Sequence, residues 1–108
     1  MNIEKTKAQM RKGVLELCIL SVMKDDEAYA SDIIMQMKEA HLIVVEGTLY
    51  PLLTRLKNEG LLDYRWEESK SGPPRKYYRI TELGSRTLVE LVASWKSLLS
   101  SVKTITKA

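Results

Sequence analysis

Basic side chains are concentrated in two short segments of the sequence. Residues 1–12 carry four basic residues against one acidic residue, whereas residues 24–46 carry six acidic residues against two lysines. Residues 70–79 form the second basic segment, which contains no acidic residue and has these four cations: Lys70, Arg75, Lys76 and Arg79. Clustered positive charge is typical of a surface that binds a phosphate backbone, although a solvated loop gives the same pattern. The net charge of +3 is too small to decide between the two.

The residue types that an enzyme needs are not grouped. His41 is the only histidine and Cys18 the only cysteine, so a catalytic triad or a zinc site would depend on one residue of each kind. No glycine-rich phosphate loop is found, and the adjacent carboxylates of Asp25–Glu27 are more typical of a solvated helix junction than of a metal site. We therefore predict a protein that is not an enzyme and that has no metal or cofactor.

Hydroxyl and basic side chains also fall at one end of a predicted helix. In EGTLYPLLTRLKNEG, the leucines from Leu49 to Leu56 share one helical face, and Gly60 is a good left-handed cap. Pro51 fits the first turn or so, where a missing N–H costs least. The free N–H groups at the start of this helix suit a phosphate, and nearby side chains suit phosphates or base edges. The candidates are Thr48, Tyr50, Thr54 and Arg55, with the alternatives that Tyr50 packs internally and that Thr54 is a solvated surface residue.

Other helices must position that segment. Apolar periodicity predicts one continuous helix over residues 5–24, in which Cys18 is a small buried residue, and a second helix over about 30–40. Only about five residues separate the second helix from the helix in EGTLYPLLTRLKNEG. Two short helices joined by a short turn predict a helix-turn-helix.

A hairpin and a long helix complete the chain. Leu62, Tyr64 and Trp66 alternate with polar residues, which predicts a strand with one buried face. The turn composition of KSGPP and the β-forming RKYYRI predict a second strand, with Pro73 and Pro74 in the loop or at its mouth. Thr81 is a predicted N-cap for a final helix over about 82–104. Its heptad pattern predicts a dimer interface that includes Leu88, Leu91, Val92, Leu98, Leu99 and Val102.

The segments GTLYPLLTRLKNEGLL and SGPPRKYYRITELG resemble the PadR family of bacterial winged-helix transcriptional regulators. They follow the patterns GTLYPLLxRLxxEGLL and GPxRKYYxxTxxG in the same order, and the resemblance covers residues 10 to about 87. The single helix after the hairpin is similar to that of the short-tailed subfamily, which includes a lactococcal multidrug-binding regulator. The sequence departs from the family where Gly-Tyr usually opens the second helix, because Ala30 and Ser31 stand there and a tyrosine precedes them at position 29.

The resemblance implies a mainly α (α+β) fold, namely a winged helix-turn-helix over residues 1–80 and a C-terminal dimerisation helix over residues 81–108. It implies a homodimeric, sequence-specific repressor that binds a double-stranded DNA operator and is released by a small aromatic or drug-like ligand. The DNA-facing positions that it implies are Thr48, Tyr50, Arg55, Gly72, Pro73, Arg75 and Lys76. The residues themselves add Thr54 and Lys70, because a basic hairpin tip can neutralise phosphates beside the helix.

Trp95 lies midway along the last helix, and two roles are open for it. An aromatic residue at this heptad position suits a dimer core, whereas the resemblance to the lactococcal regulator implies a platform for a planar aromatic effector. Offset stacking of a planar ligand between two symmetry-related rings is physically favourable, and Met10 and Val14 are candidates to line the same space.

Two other kinds of function compete with DNA binding. A winged helix can act as a protein-binding module, for which the acidic segment 24–46 would suit a basic partner. A small-molecule carrier would explain Trp95 but not the basic hairpin. The N-terminal sequence has no apolar core of a signal peptide, and no apolar run is long enough to span a membrane, so we expect no membrane association and a cytoplasmic location.

Overall fold

The computed structural model describes every residue from Met1 to Ala108. Five helices and one antiparallel hairpin follow in this order: α1 (Ile3–Lys12), α2 (Leu15–Val22), α3 (Ala30–Glu39), α4 (Glu46–Asn58), β1 (Leu62–Ser69), β2 (Gly72–Ile80) and α5 (Glu82–Thr106). The predicted mainly helical fold, with a helix-turn-helix, a two-stranded wing and a long C-terminal helix, is confirmed. None of the helices is both long enough and apolar enough to cross a membrane.

The first predicted helix is two helices. α1 begins after Asn2, whose Oδ1 accepts a hydrogen bond from the Lys5 N–H at 3.1 Å, and it ends at Gly13. α2 then begins after Val14. The single helix expected over residues 5–24 is therefore wrong. α1 buries no side chain, so nothing in this chain holds it in line with α2, and the low helix propensity of Gly13 makes the break inexpensive.

The core lies between α2, α3, α4 and the hairpin. Each of these helices contributes leucine, isoleucine or methionine side chains from one face, and the sheet contributes Leu62 and Tyr78. The side chains with no exposed surface are Ile19, Leu20, Ile33, Leu49, Leu53 and Leu56. Leu88 of α5 is also in this core, with 4% of its surface exposed. Its predicted place in a dimer interface is therefore wrong, because it has almost no surface left to offer a second chain.

Both helices of the helix-turn-helix end in a left-handed residue. After α3, His41 has a φ of 63°, and the Leu42 N–H donates to the Met37 carbonyl at 2.9 Å. After α4, Gly60 has a φ of 79°, which confirms the predicted cap. Pro51, which was expected in the first turn or so, is the sixth residue of α4 and lies in its second turn. It therefore removes the hydrogen bond that the Gly47 carbonyl would otherwise accept.

The hairpin is held on both sides of β2. Tyr64 lies opposite Tyr78 and Trp66 opposite Lys76, while Ala28 exchanges two backbone hydrogen bonds with Tyr78 at 2.8 and 2.9 Å. The register shifts after Glu67, so that two prolines, Pro73 and Pro74, face one residue of β1. The prolines thus sit at the mouth of the turn, as predicted, where the bulge removes the need for their missing N–H groups.

The last helix joins the core at its start and leaves it at its end. The predicted N-cap is confirmed, because Thr81 Oγ1 accepts a hydrogen bond from the Gly84 N–H at 3.0 Å and donates one to the Gly60 carbonyl at 2.6 Å. No residue after Leu88 is buried. The molecule measures 53 × 32 × 23 Å, with a radius of gyration of 15.5 Å. A compact domain of this length would have a radius of about 13 Å.

Candidate nucleic-acid interface

A groove of about 380 Å³ lies between the start of α3, the start of α4 and the wing. Side chains from all three elements line it, including Ser31, Glu46, Tyr50, Trp66, Arg75 and Lys76. Two of the cations predicted to contact DNA are therefore placed beside the first turns of α4, although they lie more than 20 residues away in the sequence.

The first two turns of α4 present open surface beside this groove. Tyr50 is 47% exposed, so the alternative that its ring packs internally is wrong. Thr48 and Thr54 are exposed, and no other part of the chain comes within 4 Å of the position where a Cβ of Gly47 would lie. Because no side chain caps this helix, the N–H groups of Glu46 and Gly47 remain free for an external acceptor, whereas the Thr48 N–H donates to the Val45 carbonyl at 3.0 Å.

Two lysines from different elements meet on the aromatic face of the wing. The Lys76 Nζ lies 4.6 Å from the centre of the Tyr64 ring and 5.6 Å from that of Trp66. From α4, the Lys57 Nζ approaches the same Tyr64 ring at 5.8 Å. Thr54 lines a small cleft with these two lysines. The aromatic rings thus hold two ammonium groups next to the exposed side of α4.

The other wing cation is held by α3. The Arg75 guanidinium lies 3.9 Å from the centre of the Tyr29 ring and donates a hydrogen bond to Ser31 Oγ at 2.7 Å. Tyr29 is itself stacked near Tyr77, with ring centres 4.5 Å apart. Tyr29 and Ser31, which lie where this sequence differs from the usual Gly-Tyr, therefore fix the direction of the Arg75 side chain.

One of the two adjacent glutamates of the wing is paired with a cation of the same chain. Glu67 pairs with Arg65, which also forms an ion pair with Glu27 at 3.1 Å. These carboxylates raise the pKa of the Arg65 guanidinium. Glu67 thus pairs with a neighbour on its own strand and not with Arg75, which lies opposite it in the hairpin.

Arg55 is placed apart from the groove. Its guanidinium pairs with Glu16 of α2 and with Glu59 at the end of α4, both at 3.2 Å. The remaining predicted contacts, Lys70, Gly72 and Pro73, are exposed near the tip of the wing.

Two residues of this surface were not identified from the sequence. Lys57 was passed over, although it lies three residues after Thr54 and therefore on the same side of the helix. Trp66 was predicted to anchor the strand in the core, but it is 62% exposed. The alternation of β1 continues beyond the part of the hairpin that the helices cover. The apolar face of β1 is therefore buried at Leu62 but exposed to solvent at Trp66.

Trp95 lies in a different region, on the stretch of α5 that leaves the core. It is 40% exposed and borders an apolar groove of about 340 Å³ with Leu17, Cys18, Val22, Met37, Leu42 and Val92. Met10 and Val14 do not line this groove, so the structure of one chain does not bring the three predicted ligand residues together. Cys18 is half-buried there, and desolvation raises the pKa of its thiol.

Comparisons with known proteins identify the family of this chain. The model of the PadR-like transcriptional regulator family matches residues 19–90. A transcriptional regulator of Mycobacterium tuberculosis is 30% identical to the chain over 82 residues, which cover 76% of each protein.

Solved structures extend the similarity to almost the whole chain. A PadR-like transcription factor from Bacteroides fragilis is 61% identical, with a TM-score of 0.79 over 94% of this chain and 98% of that one. A PadR family regulator from Eggerthella lenta is 32% identical, with a TM-score of 0.89 over 98% of this chain and 93% of that one. The chain therefore belongs to the PadR-like family of transcriptional regulators, which are DNA-binding proteins and not enzymes.

Proposed function

We propose that this regulator is a homodimeric repressor that binds its operator through the groove between α4 and the wing. The observation that carries the proposal is the convergence of an uncapped helix start, exposed hydroxyl groups and two wing cations on that one groove. α4 enters the major groove, where Thr48, Tyr50 and Thr54 meet base edges or phosphates. Lys76, Arg75 and Lys70 neutralise phosphates on the flanking backbone.

The tip of the wing contributes shape as well as charge. Gly72 and Pro73 are exposed beside Lys70, and the bulge in this part of the hairpin bends the strand that carries them. We leave Arg55 out of the interface, because its charge is already balanced by Glu16 and Glu59.

Dimerisation is supported by the surface that one chain leaves uncovered. The second half of α5 exposes an apolar stripe in which Leu98 is 57% and Val102 46% exposed, and Trp95 and Leu99 lie on the same face. Leu91 and Val92 continue the stripe back to the core. A second copy of the chain would bury this stripe, and the largely uncovered α1 would pack on the partner.

The operator architecture tests the dimer and the sequence specificity together. Two recognition helices related by a two-fold axis read half-sites about 34–36 Å apart, which is one turn of DNA. Footprinting of the DNA upstream of the gene for this protein should show two protected half-sites with that spacing. Transcription from that promoter in vitro should fall when the protein is added. Binding with no preference over random duplex, or activation of transcription, would contradict the proposal.

The effector is the second part of the proposal. A planar aromatic ligand bound beside Trp95, with Met10 and Val14 reaching the site in the dimer, would favour one spacing of the recognition helices over another. Titration with planar aromatic dyes should therefore quench tryptophan emission in the wild type and much less in Trp95→Ala. Equal quenching in both proteins would remove the support for this site.

A regulator of this kind works where the DNA is, so we place it in the cytoplasm.

A further inference from the structure

We infer that Trp66 is a contact residue for the DNA backbone, with its indole N–H donating a hydrogen bond to a phosphate oxygen. This inference rests on the proposed function and extends it to a residue whose alternating pattern predicts a buried face. The first observation is exposure: a tryptophan that served only to anchor the hairpin would be covered, whereas 62% of this side chain is open to solvent.

Trp66 lies next to the residues that are proposed to contact DNA. It lines the same groove as Tyr50 on α4 and Arg75 on the wing, and it lies opposite Lys76 in the hairpin register. A backbone that contacts Lys76 beside the first turns of α4 therefore passes along the exposed indole.

The neighbours of Trp66 hold the ring in place. Tyr64 meets it edge to face, with ring centres 5.9 Å apart, and the Lys76 Nζ lies 5.6 Å from its centre. These contacts fix one side of the indole, so little further side-chain freedom is lost when DNA binds. The structure gives the indole N–H no acceptor within the chain, and tryptophan can only donate.

The chemistry of the contact separates it from that of the neighbouring lysine. Each cation that neutralises a phosphate releases counterions and steepens the dependence of DNA affinity on salt. An indole N–H carries no charge, so its hydrogen bond adds affinity without adding to the salt slope. We therefore expect Trp66 and Lys76 to contact the same stretch of DNA backbone. Only the contribution of Lys76 to DNA affinity should depend on salt concentration.

The test compares Trp66→Phe and Lys76→Gln in titrations of a fluorescein-labelled duplex at several salt concentrations. Trp66→Phe keeps an aromatic face for Lys76 and removes the donor, so affinity should fall about 5-fold at every salt concentration, with an unchanged slope. Lys76→Gln should reduce the slope by about one unit. Wild-type affinity in Trp66→Phe would overturn the inference, whereas failure of the wild type to bind any duplex would overturn the proposed function itself.

A second measurement uses the unaltered protein. In ¹⁵N-labelled wild type, the two tryptophans give two indole N–H resonances, which Trp66→Phe assigns. Addition of duplex should move the Trp66 resonance in the direction of a stronger hydrogen bond. A Trp66 resonance that stays in place when DNA saturates the protein would overturn the inference, whatever the variant shows.

Discussion

At the scale of single residues, two glycines in helices have opposite surroundings. A Cβ on Gly84 in α5 would lie 2.1 Å from the Leu61 carbonyl oxygen, which is backbone and cannot swing aside. A Cβ on Gly47 in α4 would meet nothing within 4 Å. The first glycine therefore permits the close approach of α5 to the segment before β1, and the second keeps open the surface that we assign to DNA.

Alanine at each position separates these roles. Gly84→Ala should destabilise the fold by about 3 kcal/mol, because the clash outweighs the better helix propensity of alanine. Gly47→Ala should raise stability by up to about 1 kcal/mol while weakening DNA binding, because its methyl group projects from the DNA-binding surface. Urea unfolding at one protein concentration and duplex titration measure the two effects. Unchanged stability in Gly84→Ala, or unchanged DNA affinity in Gly47→Ala, would contradict these assignments.

At the scale of elements, α2 and α4 are linked by one exposed ion-pair cluster. The Arg55 guanidinium of α4 lies between Glu16 of α2 and Glu59, 3.2 Å from each. Exposed pairs of this kind contribute little to stability, so the cluster is better suited to orient α4 on α2 than to hold the fold together.

Neutralising Arg55 tests whether it orients the helix or contacts DNA. Arg55→Gln should lower stability by less than about 1 kcal/mol and leave the salt slope of DNA binding unchanged. The matched control is Lys57→Gln on the same helix, which should reduce the slope by about one unit because Lys57 borders the wing. If Arg55→Gln also lost one unit, Arg55 would be a phosphate contact, as the family resemblance implies.

The elements were predicted from the sequence more accurately than the surroundings of their side chains. Turn and cap residues such as Gly60 and Thr81 act locally, so their effect could be predicted from the residues alone. The exposure of Trp66 and the burial of Leu88 could not be predicted, because alternation and heptad spacing define a face without showing what covers it. The break after α1 was missed for the same reason: apolar periodicity continues through Gly13, but the core does not.

At the scale of the whole molecule, the chain extends beyond its own core at both ends. α1 buries nothing, and α5 exposes its apolar stripe over the last 15 residues or so of the helix, which a single copy leaves in water. We attribute the radius of gyration of 15.5 Å to these two arms. Their apolar surface is what makes a second copy the expected partner.

A charge placed in the stripe tests this attribution. Leu98→Glu should convert the dimer to a monomer in sedimentation velocity experiments, because an unpaired carboxylate would be buried at the interface. Ser100→Glu is the control: it adds the same charge to the same helix, but roughly 200° further around its axis. A dimeric Leu98→Glu protein, or a monomeric wild type at micromolar concentration, would argue against α5 as the interface.

The central claim, that the wing and α4 together bind a phosphate backbone, is tested most directly by the salt dependence of duplex binding in Lys76→Gln and Lys103→Gln. Both changes remove one lysine charge, but Lys76 lies in the groove and Lys103 near the far end of α5. We expect log affinity to fall linearly with log salt in the wild type, with a slope reduced by about one unit in Lys76→Gln and unchanged in Lys103→Gln. A flat salt dependence in the wild type, or the same slope in both variants, would contradict the account.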